Sequence, residues 1–440
     1  MTASSESNPA TEAESVAAEV ERNLPRNFAA FLAHGVFGQT GLRLINAPTF
    51  LPHFASELAG SASGGTILRA VQSLGQFISP LAAVSVVEHR AYVKRVGIVF
   101  GSAMRIQLLC LALVALFVPS PTLALWLVWL FVGLFGLALG LQGVAFQVVM
   151  AKVIPIERRG RLLGLRDVTA AAVLIGVSAI GGFLIDRFGL FAGNGYTFLL
   201  AFALTNIGLG AFASVREPPG RELRTPTPFR ERVRELPALL RAEPDFRRYL
   251  SARLLASAAR GVLPLYIVWI GREFGMTGAR LGTFTVMFTL AQSGSTMGWG
   301  WLGDRGGYKR VFQLSTLCWL AGTALLLISP SVWLASLTYA LVGAGVGGFI
   351  LAGSNLVLEF GTERERAMRI ATHNSSTELA GMLGFLGAGL LADGVSFRSA
   401  FLVSIGLQAL AIVRMWGMRD PRARRSRPGR TDGSPAEDLD

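Results

Sequence analysis

Long apolar runs, parted by short connections in which Arg and Lys collect, dominate this chain. A run of roughly twenty residues with few charges is long enough to cross a bilayer core of about 30 Å as a helix. In lipid every backbone N–H and C=O must be satisfied within the protein, which a helix does along its own length. The runs predict spans at 28–50, 63–87, 96–118, 122–150, 168–187, 194–214, 248–270, 279–303, 311–329, 331–358, 370–392 and 397–417. Hydrophobic residues make up 52% of the sequence and charged residues only 16%, too little charge for a soluble chain of 440 residues. The expected fold is an all-α multi-pass membrane protein with twelve transmembrane helices.

The connections set the expected orientation, because Lys and Arg are favoured in short cytoplasmic loops. Alternate connections carry Arg90, Lys94 and Arg95; Lys152, Arg158, Arg159, Arg161 and Arg166; Arg305, Lys309 and Arg310; and Arg364, Arg366 and Arg369. The opposite set holds little beyond Arg187, Arg272, Arg280 and Arg398. Both termini are thus expected in the cytoplasm of a cell held by its plasma or inner membrane. The net charge of +13 is spread among these loops, so it is topological and implies no nucleic-acid partner. The C-terminal run from Arg419 to Arg430 is expected to touch anionic lipid.

Residues 1–26 read as an acidic cytoplasmic tail with a short surface helix near Ser15 to Arg22, and they lack the basic-then-apolar order of a signal peptide. Residues 27–214 form a first six-helix half and 248–417 a second. Between them, 215–247 reads as a cytoplasmic linker with an amphipathic piece around Arg230 to Leu240, and 418–440 as a cytoplasmic tail. The halves echo one another: Asn27-Phe28-Ala29-Ala30-Phe31-Leu32 against Asp245-Phe246-Arg247-Arg248-Tyr249-Leu250, and Lys94-Arg95-Val96 against Lys309-Arg310-Val311. Two pseudo-symmetric halves with a site near the midplane are what a repeat-built transporter would have.

One loop is distinctive. Gly300-Trp301-Leu302-Gly303-Asp304-Arg305-Gly306-Gly307-Tyr308-Lys309-Arg310 resembles the signature loop of the major facilitator superfamily, with Gly303 and Tyr308 departing from its consensus. The counterpart at Glu88 to Arg95 keeps Arg90, Lys94 and Arg95, but His89 and Tyr92 replace the motif's Asp and Gly. The basic turn Glu157-Arg158-Arg159-Gly160-Arg161, followed by Gly164, resembles the family's connection between spans four and five. The resemblance implies secondary transport by alternating access, with Gly300, Asp304, Arg305, Gly307, Lys309, Arg310 and Arg90 as gating-loop residues. Two hallmarks of the family's drug–proton antiporters are incomplete: Leu139 fills the Arg position before Gln142-Gly143, and Val177-Ser178 precedes Gly181-Gly182 where a Gly-Pro is usual.

Polar groups inside a span are expensive and normally face the bundle interior, so they are the site candidates. Gln39, Arg43 and Asn46 share one helix face, as do Arg69, Gln72 and Gln76. Span seven aligns Arg253, Ser257 and Arg260, span eight Thr285, Thr289, Gln292 and Thr296, and span eleven Asn374 and Glu378. Gln39, Arg43, Asn46, Arg69, Gln72, Gln142, Arg260, Gln292 and Asn374 are therefore the expected substrate-binding residues. The resemblance implies that most of these stripes converge on a central cavity. Arg43, Arg69 and Arg260 against the single carboxylate Glu378 favour an anionic small molecule, since the guanidinium fork matches carboxylate and phosphate. Glu378 is the expected proton-coupling residue; its bland competitor is a fixed ion pair, just as each Arg has a structural reading as a helix tie. Arg253 is expected to snorkel, Arg105 to be structural, and Trp126, Trp129, Trp333 and Tyr339 to anchor at the interface.

No nucleophile, base and orienting group occur together, so no enzyme is expected, and two apolar-run thiols with four scattered His support neither a metal nor a disulfide. No cofactor is expected, and a monomer is. The alternatives are a drug or metabolite exporter and, in another class, a transporter-shaped assembly factor or sensor with an occluded centre.

Overall fold

A computed structural model describes residues 9–87, 90–219, 241, 243–328, 331–360 and 363–418, and among these there is no strand. Glu88, His89, the expected amphipathic piece at Arg230 to Leu240 and the run from Arg419 lie outside the described residues. Span one is broken into α1 (Pro9–Ala33), a π-helical turn (His34–Gln39), α2 (Thr40–Asn46) and α3 (Phe50–Ala59). Spans two to four are α4 (Ser63–Val87), α5 (Lys94–Phe117) and α6 (Pro121–Val153). Spans five and six are the arms of α7 (Ile156–Ala213), which turns at Gly189, where φ is 78°. Span seven is α8 (Pro244–Ala259), a 3-10 turn (Arg260–Val262) and α9 (Leu263–Phe274). The rest are α10 (Gly278–Gly306), α11 (Tyr308–Ile328), α12 (Val332–Leu356), α13 (Glu363–Gly394) and α14 (Phe397–Trp416).

Eight of the described helical segments are long and apolar enough to cross a membrane, α7 being long enough to do so twice. The crossings not among them are α1 to α3, α4 and α10. Span one is divided into pieces, and α10 carries the polar stripe Thr285, Thr289, Gln292 and Thr296. The tail helix is longer than the sequence suggested. It starts at Pro9, runs unbroken into the span, and is tied down by Arg26, which donates to the carbonyl of Ser214 at 3.1 Å.

The repeat has a physical meaning at the face that carries the basic loops. Lys94 Nζ donates to the carbonyls of Ala213 and Val215, at 3.2 and 2.7 Å, where span six ends. Lys309 Nζ donates to those of Trp416 and Met418, at 3.3 and 2.6 Å, where span twelve ends. Each Lys satisfies carbonyls that a helix end leaves unpaired and sits at its negative pole. Within the first half Glu217 adds a reciprocal bond, accepting from the N–H groups of Val93 and Lys94 at the start of α5 and from Lys152 at 2.9 Å.

The halves meet along α4 with α13 and along α7 with α10. On the face opposite the basic loops two carboxylates cross between them. Asp393 on α13 accepts from the N–H groups of Ala62 and Ser63, both at 2.9 Å, at the start of α4. Asp186 on α7 accepts from those of Gly278 and Ala279, at 2.6 and 2.9 Å, at the start of α10. The two clasps are pseudo-symmetric, spans five and eleven each closing on span eight or two. Close approach depends on glycine: a side chain at Gly182 would strike the Gly278 carbonyl, and one at Gly282 the Ser178 carbonyl.

Toward the basic loops the same helix faces part. Gly164 lies about five turns from Gly182 on α7, and Gly300 about six turns from Gly278 on α10, so each stays on the inter-half face. Both have open space where a side chain would project. The protein is closed at the clasp face and splayed at the basic-loop face.

A carboxylate at an exposed helix start contributes on the order of 1 kcal/mol. Replacing both Asp186 and Asp393 with Asn is therefore expected to shift the open-to-closed ratio of the clasp face by roughly tenfold. Electron–electron distance measurements between spin labels at Thr122 and Val395 would report this as a longer-distance population. An unchanged distribution would mean that the clasps do not hold that face.

Candidate functional site: a central polar cavity

A cavity of about 280 Å³ lies between the halves, lined among others by Arg43, Asn46, Arg69, Gln72, Gln76, Arg260, Gln292 and Glu378. Its walls come from α2, α4, α6, the 3-10 turn at Arg260–Val262, α9, α10, α12 and α13, with Leu139, Phe288, Val346 and Phe385 as apolar surface. Seven of the expected site residues thus converge.

The break in span one shapes this site. Helix α2 ends at Asn46, Ala47 is extended (φ −59°, ψ 148°), and Pro48 offers no N–H to continue the ladder. Arg69 reaches across from α4 and donates to the carbonyls of Ile45, Asn46 and Ala47 at 3.2, 2.9 and 2.8 Å, and to Gln72 Oε1 at 2.6 Å. Gln72 in turn donates to Asn46 Oδ1 at 2.7 Å. A buried cation thus plugs the negative end of a broken helix. Just beyond the break, Thr49 bonds Thr285 across the halves at 2.6 Å, and Tyr339 donates to the Pro48 carbonyl at 3.4 Å.

The two other arginines are paired. Arg260 bonds both oxygens of Glu378 at 3.2 to 3.3 Å, each side chain about a fifth exposed. Arg43 bonds Asp167 at 2.9 Å, with half of the Asp167 side chain exposed. Sequence reasoning missed Asp167 because it falls one residue before the predicted start of span five; α7 in fact begins at Ile156, a full three turns earlier by helical rise. Glu378 is the one carboxylate among the residues that line the cavity with the three arginines, and Asp167 pairs with Arg43 from outside that lining. Glu378 faces Arg260 and Asp167 serves Arg43, whereas Arg69 is bonded only to neutral groups among the described residues.

Three expected site residues lie elsewhere. Gln39 and Gln142 line a separate cavity of about 100 Å³ within the first half. Gln39 closes the π-helical turn about one helical turn before Arg43, at the level of the smaller cavity instead of the central one. Asn374 is exposed on α13 and does not line the central cavity. Arg253 does not snorkel: it is buried, donates to the Phe349 carbonyl and lies 3.4 Å from that ring's centroid. Tyr339 is fully buried and stacks on Phe284 instead of anchoring at the interface, whereas Trp126 and Trp333 are exposed. Arg105 is buried on the carbonyls of Thr205 and Gly101, as a structural residue would be.

In the signature loop, α10 is capped by Gly307, where φ is 81° and glycine is favoured. Tyr308 donates to Asp304 at 3.2 Å, Arg305 lies 4.4 Å from the Trp301 ring centroid, and Lys309 holds the end of α14. Arg310 and Arg90 are exposed on the basic-loop face.

Comparison with known proteins agrees with this architecture. Residues 249–438 match the sequence model of the Major Facilitator Superfamily. The multidrug resistance protein MdtG of Salmonella choleraesuis (strain SC-B67) is 28% identical over 148 residues, 32% of this chain and 35% of that relative. The match therefore spans about a third of the relative's length. The crystal structure of the nucleoside transporter NupG superposes with a TM-score of 0.68 at 12% identity, covering 89% of this chain and 99% of that one. The D-xylose–proton symporter superposes with a TM-score of 0.69 at 15% identity, covering 89% and 97%. These findings define an all-α, multi-pass membrane protein with the major facilitator fold. Over residues 249–438 the chain is similar to the Major Facilitator Superfamily, and with the solved transporters it shares a fold.

Arg69→Gln would strip charged hydrogen bonds from three buried carbonyls, and losses of this kind cost about 2 to 4 kcal/mol. In thermal unfolding of the purified protein it is expected to be clearly more destabilising than Arg43→Gln, whose partner is half exposed. Equal melting temperatures for the two variants would remove the plug role assigned to Arg69.

Proposed function

We propose that this protein moves a small anionic solute across a cell membrane by alternating access of the central cavity. The observation that carries the reading is the cavity's three arginines, one of which, Arg69, has only neutral partners among the described residues. A solute bearing a carboxylate or phosphate supplies the missing negative charge, and Arg260 and Arg43 can each exchange a protein carboxylate for it. Gln72, Asn46 and Gln292 then orient the rest of the solute, and Phe288 and Phe385 cover its apolar part.

Glu378 is the proton-coupling group in this reading. A solute anion that takes Arg260 leaves Glu378 without its ion-pair partner, and Glu378 carries the proton that accompanies the solute. Solute and proton then travel together. The expected orientation places both termini and the basic loops in the cytoplasm, so the described state faces inward.

Closing the inner side brings Gly164 toward Gly300, as Gly182 already meets Gly278 at the clasp face, and the signature loop at Asp304 to Arg310 latches that closed state. The halves would comprise 27–214 and 248–417 with the linker between them, working as a monomer. A second reading, efflux of a drug or metabolite, is favoured by the likeness to MdtG and differs in its substrate: a lipophilic cation would bind Glu378 and be repelled by Arg69.

Proteoliposome flux of carboxylates and organic phosphates against lipophilic cations separates these readings. Anion flux lost in Arg260→Gln is the expected outcome; cation flux with no anion flux would replace the proposal by the efflux reading. Glu378→Gln is expected to retain solute binding but lose the response to an imposed pH gradient, and a preserved response would end its coupling role. Gly300→Leu fills open space and should fold normally, yet it is expected to bind solute while transport falls at least about tenfold through blocked closure. Undiminished transport in this variant would contradict closure along α7 and α10.

A further inference from the structure

The smaller cavity in the first half has a chemistry of its own. It lies nearer the basic-loop face than the central cavity, and Leu139 lines both. Its polar lining is His34, Gln39, Arg105, Gln142 and Arg166, with no carboxylate among the residues that line it. His34, Arg105 and Arg166 are all more than nine-tenths buried. Asp167, next to Arg166 in sequence, is instead bonded to Arg43. Two guanidinium groups and an imidazole are thus gathered in a low-dielectric space without an opposite charge on its walls, an arrangement that favours a bound anion.

Three further observations indicate a space kept for a ligand. His34 Nδ1 and Arg166 Nε are buried polar atoms without a hydrogen-bond partner. Span one turns π-helical at His34–Gln39, and that turn brings His34, Gly38 and Gln39 to the cavity; such turns often mark functional sites. Glycines clear the room: a side chain at Gly35 would strike Arg166, and one at Gly101 would crowd the Gln142 amide and Arg105. The Phe146 ring forms an apolar wall, with the His34 ring 4.9 Å and the Arg166 guanidinium 4.8 Å from its centroid.

The second half treats the equivalent level differently. His373 stands as far before Asp393 as Arg166 stands before Asp186. There Tyr249 fills the space, its hydroxyl 3.1 Å from His373 Nδ1 and bonded to the Gly353 carbonyl, while Arg253 is engaged by Phe349. One half is plugged by its own side chains and the other is left hollow and basic.

We propose that the cavity at His34, Arg105, Gln142 and Arg166 is a second binding site, for a compact anion of the carboxylate, phosphate or sulfate class. At about 100 Å³ it holds the space of roughly three waters, enough for an anionic group but not for a large solute. Arg166 and His34 supply the free donors, Gln142 a third, and Arg105 a fixed charge. The occupant is either a free inorganic anion or the anionic group of the solute on its way between the central cavity and the cytoplasm. The site stands apart from the transport reading, because binding alone tests it.

The test is calorimetric titration of the detergent-purified protein with inorganic sulfate and phosphate, and separately with small carboxylates, at constant ionic strength. Wild type is expected to bind one compact anion that survives Arg260→Gln in the central cavity. Arg166→Gln and the milder Gln142→Leu are expected to weaken it, the former by at least about tenfold for a lost charged hydrogen bond. Sulfate or phosphate binding assigns a free inorganic anion; carboxylate binding alone assigns the solute's group. No binding of any of these, or binding insensitive to both Arg166→Gln and Gln142→Leu, would overturn the site. So would a single event abolished by Arg260→Gln, which would put the anion in the central cavity. Unchanged melting of Gln142→Leu guards against a variant that merely misfolds.

Discussion

Everything in this molecule turns on where the two halves touch, and that contact is a carboxylate set on the start of a helix, made twice. Asp186 bonds the N–H groups that open α10, and Asp393 those that open α4. A helix start presents unpaired N–H groups and the positive end of its dipole, so it attracts a carboxylate without a matching cation. Such a contact is directional and exposed, hence moderate in strength and easily exchanged for water. It suits a joint that must part. Beneath the clasps, Thr49 with Thr285 and Tyr339 with the Pro48 carbonyl close the same side. The opposite side has open space at Gly164 and Gly300, and the central cavity lies between the two.

The interior of that cavity is built by breaking a helix. Span one gives up its hydrogen-bond ladder at Ala47 and Pro48, and Arg69 takes over the carbonyls set free. Non-helical backbone at membrane depth is tolerated where it lines a polar cavity. The same substitution recurs at lower depth, where Lys94 and Lys309 cover the ends of spans six and twelve. Cations on helix ends are thus the common device of this protein, and at Arg69 the device leaves a charge facing the solute path.

Much of the architecture was legible from the residues. Apolar length gave the spans, and Arg43, Asn46, Arg69, Gln72, Arg260, Gln292 and Glu378 were legible because each is a polar group that lipid would reject. The echo of Lys94 in Lys309 was visible as a string, but its role was not, since the carbonyls each serves lie more than a hundred residues downstream. Gln39 misled because a shared helix face says nothing about depth: one turn before Arg43 it meets the smaller cavity, not the central one. Asp186 and Asp393 drew no attention, the one in the last turn of an expected span and the other just past the end of another. Their surroundings held a usable signal, Gly181-Gly182-Phe183-Leu184-Ile185-Asp186 against Ala388-Gly389-Leu390-Leu391-Ala392-Asp393. Glu217 and Asp167 gave none, because each gains its meaning only from a partner on another helix.

The most direct test of a solute path opening on one side is the accessibility of a single thiol in its wall. Only Cys110 and Cys318 are native, so both can be replaced by Ser and one Cys introduced at Gln292, which lines the central cavity. With a membrane-impermeant thiol reagent, that Cys should be labelled from the side of Lys94 and Lys309 and protected from the side of Asp186 and Asp393. Labelling from neither side, or equally from the clasp side, would contradict a cavity that faces the basic loops.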